Sequence, residues 1–311
     1  MVYSISLVIL FLLSMRIGSI VAQPTILSCT DINFTSISLI NGTILQNYNI
    51  DIQDYIFDLL KCSGNDYYIM KTQSAAPHPG HYNISILNSE TGTLTTKASF
   101  YLPENPLIVR QYNSIDLQNG LAFATYCPLN VSYLLIFDLN TETIETIISE
   151  NICELYAYGG YDPVNQLYYL YGYRAQKLQA LSFGVYSMIT KSFTYYKIPY
   201  VLHFLSYVQS IYVYQSTVYV GVVQNTYYQL IKVDFNTKKA HNVFKENFVD
   251  DEGFVGFVLD DNGYFVIVAP YANNYTIYTI DLQTEQFTNH TIPNLVTKFP
   301  ENFLENMFCA Q

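Results

Sequence analysis

Tryptophan is absent from the 311 residues, and Lys plus Arg number 14 against 25 Asp plus Glu. The first absence removes repeat folds whose units each depend on a Trp. The second leaves a formal net charge of -11, the wrong sign for a surface that neutralises nucleic-acid phosphates or anionic lipid headgroups. No Cys-x-x-Cys pair occurs, which argues against a zinc ribbon or a thioredoxin-type site. Gly-x-Ser-x-Gly, His-Glu-x-x-His and Gly-rich phosphate loops are all missing. No stretch carries a convincing helical period. Charged residues make up only 13% against 50% hydrophobic, too apolar a balance for a disordered chain.

What is present begins with an apolar run from Ser4 to Met15, then Arg16 and a small-residue exit ending Ile20-Val21-Ala22. The run is shorter than the roughly 20 residues a spanning helix needs, so 1–22 reads as a secretory signal peptide cleaved near Ala22. No second membrane segment follows, and 23–311 is expected to form a single domain. Six acceptor sequons, at Asn33, Asn41, Asn83, Asn130, Asn274 and Asn289, fit a secreted or extracellular product, or one held in the secretory or endolysosomal pathway. An oxidising compartment permits two disulfides among five cysteines. Their expected pairing is Cys127 with Cys153 and Cys29 with Cys309, with Cys62 left free or displacing one of them.

Self-similarity is the strongest signal. Five segments share an apolar strand, a polar residue, two variable residues, Thr, a turn residue and a second strand. They are built around Asn88 and Thr91, Asp138 and Thr141, Ser187 and Thr190, Asp234 and Thr237, and Asp281 and Thr284, with the threonines 50, 49, 47 and 47 residues apart. Asp, Asn and Ser can bond the backbone two residues on, which gives the pattern a turn mechanism. A hairpin signal precedes each unit, as at Cys62-Ser63-Gly64-Asn65, Asp116 to Gly120, Asp162 to Asn165, Gln215-Ser216 and Asp260 to Gly263. Each unit therefore holds four short strands, A to D, and such units repeated around a ring describe an all-β propeller.

These blades resemble those of the YVTN and quinoprotein-like propeller families, whose third strand runs into an Asp-x-x-Thr-Gly turn. The resemblance spans roughly residues 54 to 293 and implies the fold, not one function, because such propellers include enzymes and pure binding modules. Two departures stand out. Only Thr91 is followed by Gly, and the Trp that packs between blades of quinoprotein dehydrogenases is missing, which removes a quinone cofactor. A Trp-Asp repeat protein is excluded by the missing Trp, and a kelch protein is disfavoured because Gly159-Gly160 is the only Gly doublet. Ser36 to Ile40 and Ile44 to Ile50 read as strands C and D of another blade. With Asn294 to Gln311 and Thr25 to Cys29 supplying A and B, a composite blade would close a six-bladed ring without free edges. Five blades plus an N-terminal segment is the alternative.

In a propeller the B to C and D to A loops share one face. Here they are expected to carry His78, His81, Cys127, Arg174 and Lys177, and Arg110, Cys153, His203, Glu246, Asp250, Asp251 and Glu252. His78 and His81 lack a third ligand at fixed spacing, so no metal is assigned. Asp250-Asp251-Glu252 has oxygen ligands suited to calcium but lacks a known calcium-loop spacing and reads first as a solvated acidic turn. The leading expectation is a non-catalytic binding or interaction module that uses this one loop face, with an extracellular protein, a glycan or a small ligand as its partner. A hydrolase, lyase or cyclase working in the channel mouth, assisted by calcium, is the rival reading, and a structural matrix component a third.

Overall fold

The computed structural model describes residues 25–29, 33–38, 43–49, 55–63, 66–72, 80–88, 90–102, 115–126, 132–149, 157–172, 180–202, 206–224, 227–247, 255–259, 263–271 and 274–292. The chain forms a β-propeller. At the N-terminus β1 (Thr25–Cys29), β2 (Asn33–Ser38) and β3 (Ile44–Asn49) make a three-stranded antiparallel sheet. Five four-stranded blades follow. The first contains β4 (Tyr55–Ser63), β5 (Asp66–Thr72), β6 (Gly80–Asn88) and β7 (Leu94–Leu102). The second contains β8 (Ile115–Asp116), β9 (Leu121–Tyr126), β10 (Ser132–Asp138) and β11 (Thr143–Ser149). The third is β12 (Ala157–Asp162), β13 (Leu167–Gly172), β14 (Ala180–Ser187) and β15 (Ser192–Pro199). The fourth is β16 (Ser206–Tyr214), β17 (Thr217–Gln224), β18 (Tyr227–Asp234) and β19 (Lys239–Asn247). The fifth is β20 (Val255–Leu259), β21 (Tyr264–Tyr271), β22 (Asn274–Asp281) and β23 (Gln286–Ile292).

The six-blade expectation is corrected. Among the described residues the blades number five, the alternative named above, and β1 pairs with β2 and β2 with β3 as a three-stranded sheet. Three residues separate β1 from β2, and so short a loop closes at far lower entropic cost than a pairing between the two chain ends. The C-terminal segment assigned to that blade lies outside the described residues.

Every blade is an antiparallel meander, so its A–B and C–D turns lie at one end and its B–C turn at the other. The C–D turns repeat one mechanism. Asn88 Oδ1 accepts from the Glu90 and Thr91 amides at 3.1 and 3.0 Å. Asp138 Oδ1 takes the Asn140 and Thr141 amides, Asp234 Oδ1 those of Asn236 and Thr237, and Asp281 Oδ1 those of Gln283 and Thr284. In the third blade the Ser187 hydroxyl accepts from the Thr190 amide. The residue after each Thr then turns left-handed: Gly92 (φ 67), Glu142 (55), Lys191 (52), Lys238 (54) and Glu285 (57). The fourth blade's A–B hairpin has φ of 45 and 59 at Gln215 and Ser216, the signs a two-residue I′ turn requires.

Period-two alternation divides each inner strand between two neighbours. In the second blade Ala122, Ala124, Leu135 and Phe137 pack on Tyr82, Ile84 and Phe100 of the first. Phe123, Leu134 and Ile136, at the alternate positions, pack on Tyr161, Tyr168 and Leu170 of the third. Val218, Val220 and Val222 of the fourth face Phe183 and Val185 of the third. Tyr219, Tyr228 and Leu230 face Phe265 and Ile267 of the fifth. Both faces of a blade are therefore core, which is why its inner strands read as nearly continuous apolar runs. Aromatic pairs bridge neighbouring blades: Phe123 stacks on Tyr161 with centroids 4.2 Å apart, and Tyr212 meets Phe265 edge-on at 4.7 Å.

Candidate binding cleft

The expected loop face is placed only in part. His78, Arg110, Cys127, Asn130, Cys153, Arg174, Lys177, His203, Asp250, Asp251 and Glu252 lie outside the described residues, as do Asn41, Cys309 and the signal segment. Cys29 and Cys62 fall in β1 and β4, and Asn33 in β2. His81 and Glu246 are strand residues and not loop residues. His81 sits in β6 opposite Tyr101, its ring centroid 5.2 Å from that of the tyrosine, and both are exposed. Glu246 lies in β19 opposite Tyr228. Among the sequons, Asn83 is half-buried in β6, where Oδ1 accepts a 2.8 Å bond from the Ser99 hydroxyl. Asn274 opens β22, and Asn289 is exposed on β23. Among the described residues no group of three His, Cys, Asp or Glu side chains could hold a metal ion.

A cleft of about 610 Å3 opens at the other end of the blades, between the A–B turns of the third and fourth units and the C–D turn of the fourth. Its floor depends on Asp162, which closes the third A–B turn and is fully buried. Oδ1 accepts from the Val164 and Asn165 amides and from the Ser216 hydroxyl of the fourth blade at 3.2 Å, while Oδ2 accepts from Asn165 Nδ2 at 2.8 Å. Four donors make a carboxylate tolerable in a site that water cannot reach. A neighbouring turn repeats the device: nearly buried Asp116 takes the Asn119 amide and side chain. Burial, then the charge of Asp116, pushes the Tyr161 hydroxyl well above its ordinary pKa.

Aromatic rings make one wall. Phe235, the residue after Asp234 in the fourth C–D turn, reaches back to the third blade and lies 5.0 Å from Tyr169, 5.1 Å from Phe183 and 5.1 Å from Tyr196 by centroid. Leu139, Met188 and Leu282 occupy the same place in their units, and each packs on the preceding blade. In the repeat pattern this position is one of the two variable residues. Its signal was visible, since four of the five residues there are large and apolar, and the first unit alone has Ser89.

Charges in the lining are committed elsewhere. Lys232 Nζ donates to Glu285 Oε1 of the fifth blade at 2.6 Å, and Glu285 Oε2 meets His241 Nε2 at 3.1 Å. The bond from Lys232 keeps the Glu285 carboxyl below its usual range. Asp234 is lowered by the Thr237 hydroxyl at 2.6 Å and by the Thr237 and Asn236 amides. Burial, followed by Asp162 and Tyr196, raises Tyr169 to about 12, so it is a neutral phenol near pH 7. The cleft thus offers a ligand ring surface and neutral hydrogen-bonding groups, beside a lysine already paired with Glu285 and an aspartate already bonded to its own turn.

Fold and cleft together define a five-bladed propeller with a small-molecule-sized opening between two blades. No protein-family model matches the sequence, and no curated protein matches it either. Solved structures match at the level of fold. TolB from Acinetobacter baumannii is 12% identical with a TM-score of 0.56, covering 86% of this chain and 63% of its own, so this chain spans under two thirds of TolB. A chain from a nidogen/laminin complex is 10% identical with a TM-score of 0.55, covering 92% of this chain and 97% of its own. A Bacteroides caccae protein of unknown function is 11% identical with a TM-score of 0.54, covering 93% and 99%.

Proposed function

We propose that this chain is a secreted, glycosylated β-propeller that acts as a binding module and performs no chemistry of its own. The cleft between the third and fourth blades carries the reading. It has the volume of a small-molecule site, yet its lysine and its aspartate are consumed by structural bonds and its most buried tyrosine is held neutral. Such a lining recognises a ligand without supplying an acid and base pair to transform it. The loop face with His78, Arg110, Arg174, His203 and Asp250 to Glu252 is the second surface, offered to an extracellular protein partner. A nidogen/laminin complex among the similar structures supports partner binding by this architecture. Secretion follows from residues 1–22, glycan attachment from the six sequons, and Cys127–Cys153 and Cys29–Cys309 form in the oxidising compartment.

Expression with the native N-terminus in secreting eukaryotic cells tests this reading. The expected product is recovered from the medium, begins at Gln23 and loses mass on N-glycan removal. Native mass spectrometry after incubation with extracellular metabolite mixtures should show a retained compound of unchanged mass. Conversion of that compound to a product would overturn the non-catalytic assignment, and retention of residues 1–22 would overturn secretion.

A further inference from the structure

We propose that the cleft between the third and fourth blades binds an uncharged saccharide. The inference rests on the binding reading above and adds the class of ligand. Ring surface comes from Tyr169, Tyr196 and Phe235, and aromatic faces suit the C–H faces of pyranose rings. Interleaved with it are four neutral groups with no hydrogen-bond partner among the described residues: the Tyr169 and Tyr196 hydroxyls, the Thr217 hydroxyl and the Asn236 carboxamide. Each can donate and accept, as a belt of sugar hydroxyls demands.

The competing ligand classes fit less well. An anion would need Lys232, which Glu285 holds at 2.6 Å, and the net charge of -11 repels acidic polymers at longer range. A cation would need Asp234, whose oxygens accept two amides and a hydroxyl. A wholly apolar ligand would strip water from four polar groups and return nothing, an arrangement that binding energetics penalises. A polyhydroxylated ring satisfies the apolar and the polar parts of the lining together.

The test uses the secreted full chain and saturation-transfer NMR with uncharged hexasaccharides of glucose, mannose, galactose or N-acetylglucosamine, each at about 1 mM. At least one should show transfer. Tyr196→Phe and Asn236→Ala should each weaken its affinity about threefold to tenfold, the loss of one neutral hydrogen bond. Both variants keep the ring packing and the turn, so their melting temperatures should match that of the parent. Tyr195→Phe is the control, because its ring stacks near Phe193 and its hydroxyl reaches Ser149 of the second blade; it should leave affinity unchanged. Absence of transfer across the panel, transfer unmoved by both cleft variants, or binding confined to uronic or sulfated oligosaccharides would each overturn the assignment. A metabolite retained in native spectra alongside a silent saccharide panel removes the saccharide and leaves the binding role standing.

Discussion

The left-handed residue that ends each C–D turn offers a quantitative test of the repeat. Gly92 takes φ of 67 at no steric cost, whereas Glu142, Lys191, Lys238 and Glu285 take 52 to 57 with a Cβ present. An L-residue there is destabilised by about 1–2 kcal/mol. Replacing it with glycine removes that strain but adds about 0.4–1 kcal/mol of unfolded-chain entropy. The net expectation is a gain of about 0.5–1 kcal/mol for Glu142→Gly and Lys238→Gly, whose side chains make no hydrogen bond or ion pair among the described residues. Lys191→Gly should gain less, because it loses a half-exposed 3.5 Å pair with Glu145 worth about 0–1 kcal/mol. Glu285→Gly should gain nothing, since it frees both Lys232 and His241. Gly92→Ala runs the other way and should cost about 0.5–1 kcal/mol. In scanning calorimetry at pH 7 these energies correspond to roughly 1–3 °C per site for a domain this large, and Glu142→Gly with Lys238→Gly should add. A fall in Tm for Glu142→Gly and Lys238→Gly, or a rise for Gly92→Ala, would refute the turn mechanism.

Other expectations follow from burial and titration. Tyr169 and Tyr219 are each raised to about 12, chiefly by burial. A raised tyrosine keeps its proton in the folded state, so stability is complete below pH 10 and declines as pH climbs from 10 through 12; absorbance titration at alkaline pH should show both lagging, and Tyr169→Phe should flatten the decline. Asp138, lowered by the Asn140 and Thr141 amides, and Asp234, lowered by Thr237, carry the opposite sign. Their contribution is full above the ordinary carboxylate pKa of 3.8 and is lost as pH falls through their lower folded values, so Asp138→Asn with Asp234→Asn should reduce the acid sensitivity seen by circular dichroism. Leu139→Ala empties the plug between the first two blades and should cost about 2–4 kcal/mol in urea unfolding. Gly159→Ala would place its Cβ on the Tyr168 hydroxyl and should cost about 1–3 kcal/mol, measured the same way.

Much of the fold was written in the spacing of Thr91, Thr141, Thr190, Thr237 and Thr284, because a side chain that must cap its own turn can be seen one unit at a time. The turns at Asp116, Asp162 and Gln215 were legible for the same reason. Blade number was not, since it depends on which strands the terminal segments choose, and the hairpin between β1 and β2 won on loop length. The cleft was illegible for a different reason. Tyr169, Tyr196, Thr217 and Asn236 come from two units and four local structures, and no periodicity links them. Placing the polar loops on one face drew attention to His81 and Glu246, but both are strand residues, and strand ends can extend beyond the point where polar sequence begins.

The alternation that gives each inner strand two apolar faces also sets a clock on synthesis. A finished unit presents one of those faces to nothing until the next unit, 47 to 50 residues on, has emerged. At about 5–20 residues per second, that is a delay of roughly 2–10 s during which the Ala122 and Phe123 strand, the Val218 and Tyr219 strand and their counterparts stand half-dressed. The ring is thus assembled by a succession of waits, and its dependence on chaperones should be greatest in those intervals.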